Sequence, residues 1–145
     1  MKLKITFFIL TILLSTKCPY NFGNTTINKQ ENSQTKLETV PIEKFYEMVK
    51  NSKNNPNFVI IDFRTEEEYR SGYIEGAVNI NFYATNLKEI LQNLDKEKIY
   101  LIYCRSGNRS GKALNIMKDL GFKEVYNCEG GILQWKAKNY PLISF

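Results

Sequence analysis

The stretch Cys104-Arg105-Ser106-Gly107-Asn108-Arg109-Ser110 determines how the rest of the chain can be arranged. It follows an apolar run at residues 99–103 and precedes apolar residues at helical spacing between 113 and 120. This order predicts a strand, a tight loop and a helix, with Cys104 where the strand ends. A compact loop that opens a helix can direct several N–H groups toward one point, which favours an anion there. The natural anion is the thiolate of Cys104 or a group attached to it.

Cys104 is the first candidate for chemistry. An ordinary cysteine has a pKa of about 8.5 and is little ionised at pH 7. Helix N-termini and neighbouring arginines lower this pKa, and Arg105 and Arg109 both lie in the loop. The pattern therefore predicts an activated cysteine nucleophile. The alternative is a buried structural cysteine, but two arginines, two serines and an asparagine are poor material for a core.

The elements on either side of the loop predict an α/β fold with a mostly parallel central sheet and helices on both faces. The run at 58–63 is apolar except at Asp62, which is typical of a strand buried on both faces. Ligands of such folds bind beyond the carboxyl ends of the strands, where Cys104 falls. In chain order, helices are predicted from Pro41 to Val49, from a capping box at 65–68, at 87–94, at 108–120 and at 132–135, and strands at 58–63, 77–80, 98–103 and 125–127.

The loop resembles the active-site loop of the rhodanese (thiosulfate sulfurtransferase) family, in its single-domain form. The resemblance covers roughly residues 41–145 and implies the rhodanese-like fold. Three further segments match the family in the right order: 59–64 with Glu68 and Tyr69, then 72–80, then 121–135 with its Gly130-Gly131 pair and Trp135.

The resemblance implies an enzyme that transfers sulfur through a persulfide on Cys104. The donor would be thiosulfate or another persulfidic compound, and the acceptor a thiol or cyanide. Arg105 and Arg109 would attract an anionic donor. The family uses no cofactor in this chemistry, and we expect a monomer whose partners are the small donor and the thiol acceptor. The predicted substrate-binding residues are Arg105, Ser106, Gly107, Asn108, Arg109 and Ser110.

Two other positions match the family and one departs from it. Asp62 and Arg64 are expected to support the site by bracing the sheet and the loop, and Arg64 could pair with Glu68 four residues later. Tyr73 stands where the family usually has histidine, and the chain has no histidine at all. A Cys–His dyad is therefore excluded.

Three other functions compete with sulfur transfer. A phosphatase of the same fold needs Cys-x5-Arg, whereas the arginine here falls at Cys-x4-Arg. A thioredoxin-like reaction needs a C-x-x-C motif, which is absent, although a regulatory disulfide between Cys104 and Cys128 stays open. A non-catalytic binding or sulfur-carrier module is the alternative from a different class, and the intact Cys104 argues against it.

The N-terminus predicts export. Lys2 and Lys4 precede an apolar run at 5–14 that is too short to span a bilayer, so residues 1–17 are typical of a signal peptide. Residues 13–18 resemble a lipoprotein box, with Cys18 as the lipidated first mature residue. A soluble exported protein and an uncleaved anchor stay open, because Lys17 departs from that box. The expected location is the periplasm, or the non-cytoplasmic side of a membrane through the lipid or anchor alone.

Composition fits one globular domain and excludes other classes. Residues 18–40 are mostly polar and predict a flexible linker, which leaves 41–145 as the domain. The formal net charge is +5, without a block of like charge or a basic–aromatic stripe, so nucleic-acid binding has no support. Widely spaced cysteines without histidine predict no metal site.

Overall fold

A computed structural model describes residues 35–144 of the chain. Strands and helices alternate throughout this part, which is the order that builds parallel sheets. The elements are β1 (Lys36–Val40), α1 (Ile42–Ser52), β2 (Phe58–Asp62), α2 (Glu66–Arg70), β3 (Ala77–Asn79), α3 (Leu87–Gln92), β4 (Ile99–Tyr103), α4 (Asn108–Asp119), β5 (Glu124–Cys128) and α5 (Gly131–Ala137).

The strands form one sheet in the order β1-β5-β4-β2-β3, and every neighbouring pair is parallel. The predicted α/β fold is confirmed. Because β4 occupies the centre, the residues that follow it emerge in the middle of the carboxyl edge of the sheet. Cys104 directly follows β4 and lies at that position.

Two apolar clusters pack against opposite faces of the sheet. One contains Ile42 and Phe45 of α1 with Trp135 of α5, and the other contains Leu91 of α3 with Met117 of α4. Successive strand residues point to opposite faces, so a strand covered on both sides is apolar throughout. This explains the apolar run of β4, which is buried from Tyr100 onward, and that of β2 up to the buried Asp62 at its end.

The predicted boundary at residue 41 is wrong by one strand. Residues 36–40, assigned to the linker, form β1 and pair with β5 from Lys36 opposite Glu124 to Val40 opposite Cys128. Val40 is buried. A short strand at the sheet edge is stabilised by a partner far away in sequence, so its own polar composition does not reveal it.

The remaining N-terminal predictions lie outside the described residues. They are the signal peptide at 1–17, the lipidation of Cys18 and the linker at 18–34. Within residues 35–144, no helix combines the length and apolar character needed to cross a bilayer.

Candidate active site

Cys104 sits at the base of a tight loop between β4 and α4. Its side chain is 1% exposed, and its Sγ accepts a hydrogen bond from the Gly107 N–H at 3.2 Å. Gly107 has φ of +88°, and a Cβ there would lie 3.0 Å from the Cys128 carbonyl oxygen. Only glycine fits this backbone conformation and this contact, so the glycine is needed to aim the N–H at the sulfur.

The surroundings of Cys104 favour its thiolate. Burial by itself would raise the pKa of this thiol. The donors around the sulfur, which are the Ser110 hydroxyl and the backbone amides of Ser110, Ser106 and Gly107, outweigh burial and hold the pKa below its usual value. The Gly107 N–H is hydrogen-bonded to Sγ, and the Ser110 hydroxyl also donates to the Gly107 carbonyl at 3.3 Å. The loop therefore supplies the anion-binding donors that its sequence predicts, and hydrogen bonding is the main lowering effect.

Arg109 is held by a carboxylate. Its guanidinium donates to both carboxylate oxygens of Glu68, at 2.7 and 2.8 Å, and lies over the Tyr83 ring at 5.6 Å. Glu68 also completes the capping box of α2 with Thr65, as predicted. Glu68 thus pairs with Arg109 and not with Arg64, which the four-residue spacing had suggested. The bidentate partner fixes the Arg109 side chain in the wall of the site, and two of its five N–H donors bind Glu68.

Arg105 contrasts with Arg109. Its side chain is exposed, and it forms no ion pair with any residue in the range 35–144. Its carbonyl oxygen accepts the Leu133 N–H at 3.1 Å, and the Cys104 carbonyl accepts the Ile132 N–H at 2.9 Å. The first turn of α5 thereby fixes the backbone of the loop and leaves the Arg105 side chain available.

Asp62 and Arg64 form a buried ion pair at the end of β2. Arg64 Nη2 lies 2.6 Å from Asp62 Oδ2, and the two side chains are 3% and 0% exposed. The same nitrogen donates to the Gly72 carbonyl at 2.8 Å. The pair thus joins β2 to the turn before β3.

Tyr73, at the position of the usual histidine, has a packing role. Its ring stacks on Tyr69 with 4.3 Å between centroids, and its backbone forms an antiparallel bridge with Ile143. These contacts tie the Gly72 turn to the C-terminal segment of the chain.

The sequence pattern does not identify two residues near the loop, Asn127 and Thr39. Asn127 is buried at the end of β5, and its Nδ2 donates to Thr39 Oγ1 at 3.1 Å and to the Gly107 carbonyl at 3.4 Å. Its Oδ1 has no hydrogen-bond partner among the described residues. An amide between Tyr126 and Cys128 in a predicted strand was the available signal, whereas the contact of Thr39 required knowing that β1 exists.

Cys128 is separated from Cys104 by the sheet. It belongs to the cluster on the α1 and α5 side, whereas Cys104 belongs to the cluster on the α3 and α4 side. Both thiols are free. Burial raises the pKa of Cys128 to about 12, so this thiol is inert at neutral pH. No three side chains suited to metal binding converge anywhere in residues 35–144.

A thiolate-stabilising loop at the carboxyl edge of a parallel sheet defines a class: α/β domains that bind or transfer an anionic group through a cysteine. The family model of the Rhodanese-like domain matches residues 45–138. The chain belongs to the rhodanese-like domain family.

Two similar proteins are named for sulfur transfer. The chain is 39% identical over 82 residues to YtwF of Bacillus subtilis, named as a candidate sulfurtransferase, and the match covers 57% of this chain and 77% of that protein. It is 36% identical over 81 residues to the thiosulfate sulfurtransferase GlpE of Coxiella burnetii, which covers 56% of this chain and 74% of that protein.

Other relatives are longer. The chain is 37% identical over 86 residues to the tRNA uridine(34) hydroxylase of Teredinibacter turnerae; the match covers 57% of this chain but spans only 27% of that protein. Among solved structures, a rhodanese-related protein from Thermoplasma volcanium matches with a TM-score of 0.62 and 29% identity, over 73% of this chain and 97% of that one.

Proposed function

We propose that this protein is a sulfurtransferase that moves a sulfane sulfur from thiosulfate or another persulfidic donor to a thiol or cyanide. The intermediate is a persulfide on Cys104. The observation that carries the proposal is the set of hydrogen-bond donors that the loop directs at Cys104 Sγ. Burial alone would raise the pKa of this thiol, and these donors lower the pKa below its usual value. The family membership and the relatives named for sulfur transfer support it.

The chemistry follows from a stabilised thiolate. Cys104 attacks the outer sulfur of thiosulfate, the S–S bond of the donor breaks, and sulfite leaves with the bonding electrons. An acceptor thiolate or cyanide then attacks the outer sulfur of the persulfide, and Cys104 leaves as a thiolate. Since the nucleophile and the leaving group are both the same stabilised anion, neither step needs a protein base. This accords with a chain that has no histidine.

The geometry disfavours phosphate chemistry. A phosphatase loop of this fold needs Cys-x5-Arg to enclose a tetrahedral oxyanion, whereas Arg109 here falls at Cys-x4-Arg and its side chain is fixed by Glu68. The donors that remain around Cys104 are the amides of Ser106, Gly107 and Ser110 and one hydroxyl. Such a set suits one anionic sulfur atom.

The test is the intact mass of the purified protein after thiosulfate and then after cyanide. We expect a gain of one sulfur atom on thiosulfate and its loss to cyanide, with thiocyanate formed. A Cys104→Ser variant should gain none, while a Cys128→Ala control should still gain one because Cys128 is buried on the other face of the sheet. Folded, reduced protein that takes sulfur from neither thiosulfate nor a small persulfide would favour the binding-module alternative.

We also propose that the protein acts outside the cytoplasm, on the strength of the charged and apolar pattern of residues 1–17. A separate proposal is that the protein is a monomer. Cell fractionation with mass analysis of the mature N-terminus tests the first part. A lipid on Cys18 would place the protein on a membrane surface, a cleaved unmodified N-terminus would make it soluble, and retention in the cytoplasm would contradict export. Light scattering of the purified protein tests the second part.

A further inference from the structure

A cleft of about 530 Å³ opens beside the Cys104 loop. Its walls come from Arg105 and Ser106 of the loop, Asn108 and Lys112 of α4, and Tyr83 on the opposite side. Cavities of about 300–1,000 Å³ are the usual size of small-molecule sites. Thiosulfate is far smaller than this cleft, so the space is available to a larger reactant.

The cleft carries an excess of positive charge. Arg109 and Glu68 both line it and neutralise each other. Arg105 and Lys112 line it too, both are exposed, and within residues 35–144 neither takes part in an ion pair. Two cations without a neutralising carboxylate attract a ligand that carries negative charge.

Tyr83 supplies an apolar surface within reach of the same ligand. Its side chain is 66% exposed, although large aromatic residues usually bury their rings. The ring is held between Phe82, at 5.6 Å in an edge-to-face arrangement, and the Arg109 guanidinium. A fixed, exposed ring beside two cations suits an organic anion better than an inorganic one.

We propose that this cleft binds the sulfur acceptor, and that the acceptor is a small thiol bearing two or more carboxylates near its sulfur. The inference rests on the proposed sulfur transfer. The acceptor thiolate attacks the outer sulfur of the Cys104 persulfide and forms an organic persulfide. The bond between the two sulfurs breaks, and its electron pair stays on Cys104 as the thiolate. Arg105 and Lys112 bind the carboxylates and so place the thiolate at the mouth of the loop.

The kinetic test uses persulfidated protein and three thiols that differ in charge: mercaptosuccinate with two carboxylates, 3-mercaptopropionate with one and 2-mercaptoethanol with none. The quantity compared is the ratio of second-order rate constants between the natural protein and an Arg105→Glu or Lys112→Glu variant. This ratio cancels the intrinsic reactivity of each thiol. We expect each variant to slow mercaptosuccinate about tenfold, to slow 3-mercaptopropionate less, and to slow 2-mercaptoethanol least, because its thiolate is its only negative charge.

The matched control is Lys118→Glu, the same charge change on an exposed residue of α4 that does not line the cleft. It should leave all three rate constants within about twofold. Equal effects of Arg105→Glu on the three thiols, or equal effects of Lys118→Glu and Lys112→Glu on mercaptosuccinate, would overturn the proposal.

A binding measurement separates this inference from the proposed function. S-methyl mercaptosuccinate cannot accept sulfur, and its affinity for the natural protein and for Arg105→Glu can be followed by NMR shift changes. Binding that shifts cleft residues and weakens about tenfold in the variant supports the cleft even if Cys104 takes up no sulfur. Sulfur uptake on Cys104 without charge-dependent binding would leave the proposed function standing and refute the acceptor class.

Discussion

At Cys104, burial and hydrogen bonding act in opposite directions on the same thiol. Cys128 provides an internal comparison, because it is equally buried but receives a lowering contribution only from the Gly131 backbone, and its pKa rises to about 12. Cys104 receives several such hydrogen bonds, and its pKa falls below the usual value. The negative charges of Cys104 and Glu129 raise the pKa of Cys128 further, so the hydrogen-bond donors and the neighbouring charges together separate the pKa values of the two buried thiols.

The Ser110 hydroxyl is the largest of these lowering contributions. We therefore expect Ser110→Ala to move the inflection in the pH profile of Cys104 alkylation to higher pH. Below the inflection the rate should fall by roughly two- to tenfold, because a hydrogen bond of this kind contributes about 0.5–1.5 kcal/mol. Iodoacetamide labelling followed by intact mass measures this profile. The control is Ser52→Ala, because the Ser52 hydroxyl donates to the Val49 carbonyl; this variant should leave the profile unchanged. An unshifted profile of Ser110→Ala would show that the amides alone stabilise the thiolate.

Whether a contact in the candidate site could be predicted depends on how far apart its two residues lie in sequence. The placement of Cys104 and the glycine of its loop could be predicted, because strand, loop and helix are contiguous. The pairing of Arg109 with Glu68 could not, since the two are 41 residues apart and α2 had several possible neighbours. The same reason hides the contact of Asn127 with Thr39, which spans 88 residues.

At the scale of elements, α5 acts as a support for the loop. Its first helical residue, Gly131, has φ of +55°, and a Cβ there would lie 2.4 Å from the Cys104 carbonyl oxygen and 2.8 Å from that of Arg105. The glycine lets the helix approach closely enough for its first amides to bind these carbonyls. Gly131, in the Gly130-Gly131 pair that matches the family in sequence, thus allows α5 to hold the backbone of the loop in place.

Gly131→Ala should therefore displace the loop. We expect at least a tenfold loss in the rate of Cys104 alkylation or of sulfur uptake from thiosulfate. Gly121→Ala is the matched control, because Gly121 also has positive φ, +83°, but a Cβ there meets no atom within 4 Å. This control should lose about 1–2 kcal/mol of stability from backbone strain and keep the reactivity of Cys104. Equal reactivity of the two variants would show that α5 does not set the loop geometry.

The missed strand β1 shows where local composition stops being informative. Its neighbours upstream are polar, and two of its own five residues, Lys36 and Glu38, are of types depleted in strands. The strand exists because the outer edge of β5 offers a row of backbone groups that β1 satisfies. The buried strands β2 and β4 were predictable, since covering both faces demands apolar residues throughout.

If β1 belongs to the domain, a core substitution in it should destabilise the whole protein. Val40 is 1% exposed and packs in the cluster with Phe45 and Trp135, so we expect Val40→Ala to reduce the free energy of unfolding by about 1–3 kcal/mol. Lys36→Ala, at the exposed start of the same strand, should change it by less than about 0.5 kcal/mol. Urea unfolding followed by the fluorescence of the single tryptophan measures both. A neutral Val40→Ala would show that β1 contributes little to the stability of the domain.

At the scale of the whole molecule, charge pairing connects parts of the fold that apolar packing does not. Glu68 of α2 and Arg109 of α4 join two helices that are separated along the chain by β3, α3 and β4. Arg109 lowers the pKa of Glu68 to about 2. The ion pair thus contributes stability that depends on pH, which the two apolar clusters do not.

The sign of this dependence follows from the lowered pKa. The unfolded protein binds a proton at Glu68 below about pH 4.5, whereas the folded protein resists protonation until about pH 2. The stabilisation is complete above pH 4.5 and is lost as pH falls toward 2. Because Glu68 is 30% exposed, solvent screening reduces the contribution to about 1–2 kcal/mol.

Glu68→Gln should therefore be less stable than the natural protein by about 1–2 kcal/mol at pH 7, with the difference shrinking below pH 4.5 and vanishing near pH 2. Urea unfolding at a series of pH values between 2 and 7 measures this convergence. Glu66→Gln is the matched control on the same helix, since its pair with Arg70 is 68% exposed on both sides and contributes little. Its unfolding curve should follow that of the natural protein at every pH. A charge effect must disappear as the carboxylate becomes protonated in both states. If the free energies of unfolding of Glu68→Gln and the natural protein differed by the same amount down to pH 2, Glu68 would stabilise the fold by hydrogen bonding and packing instead.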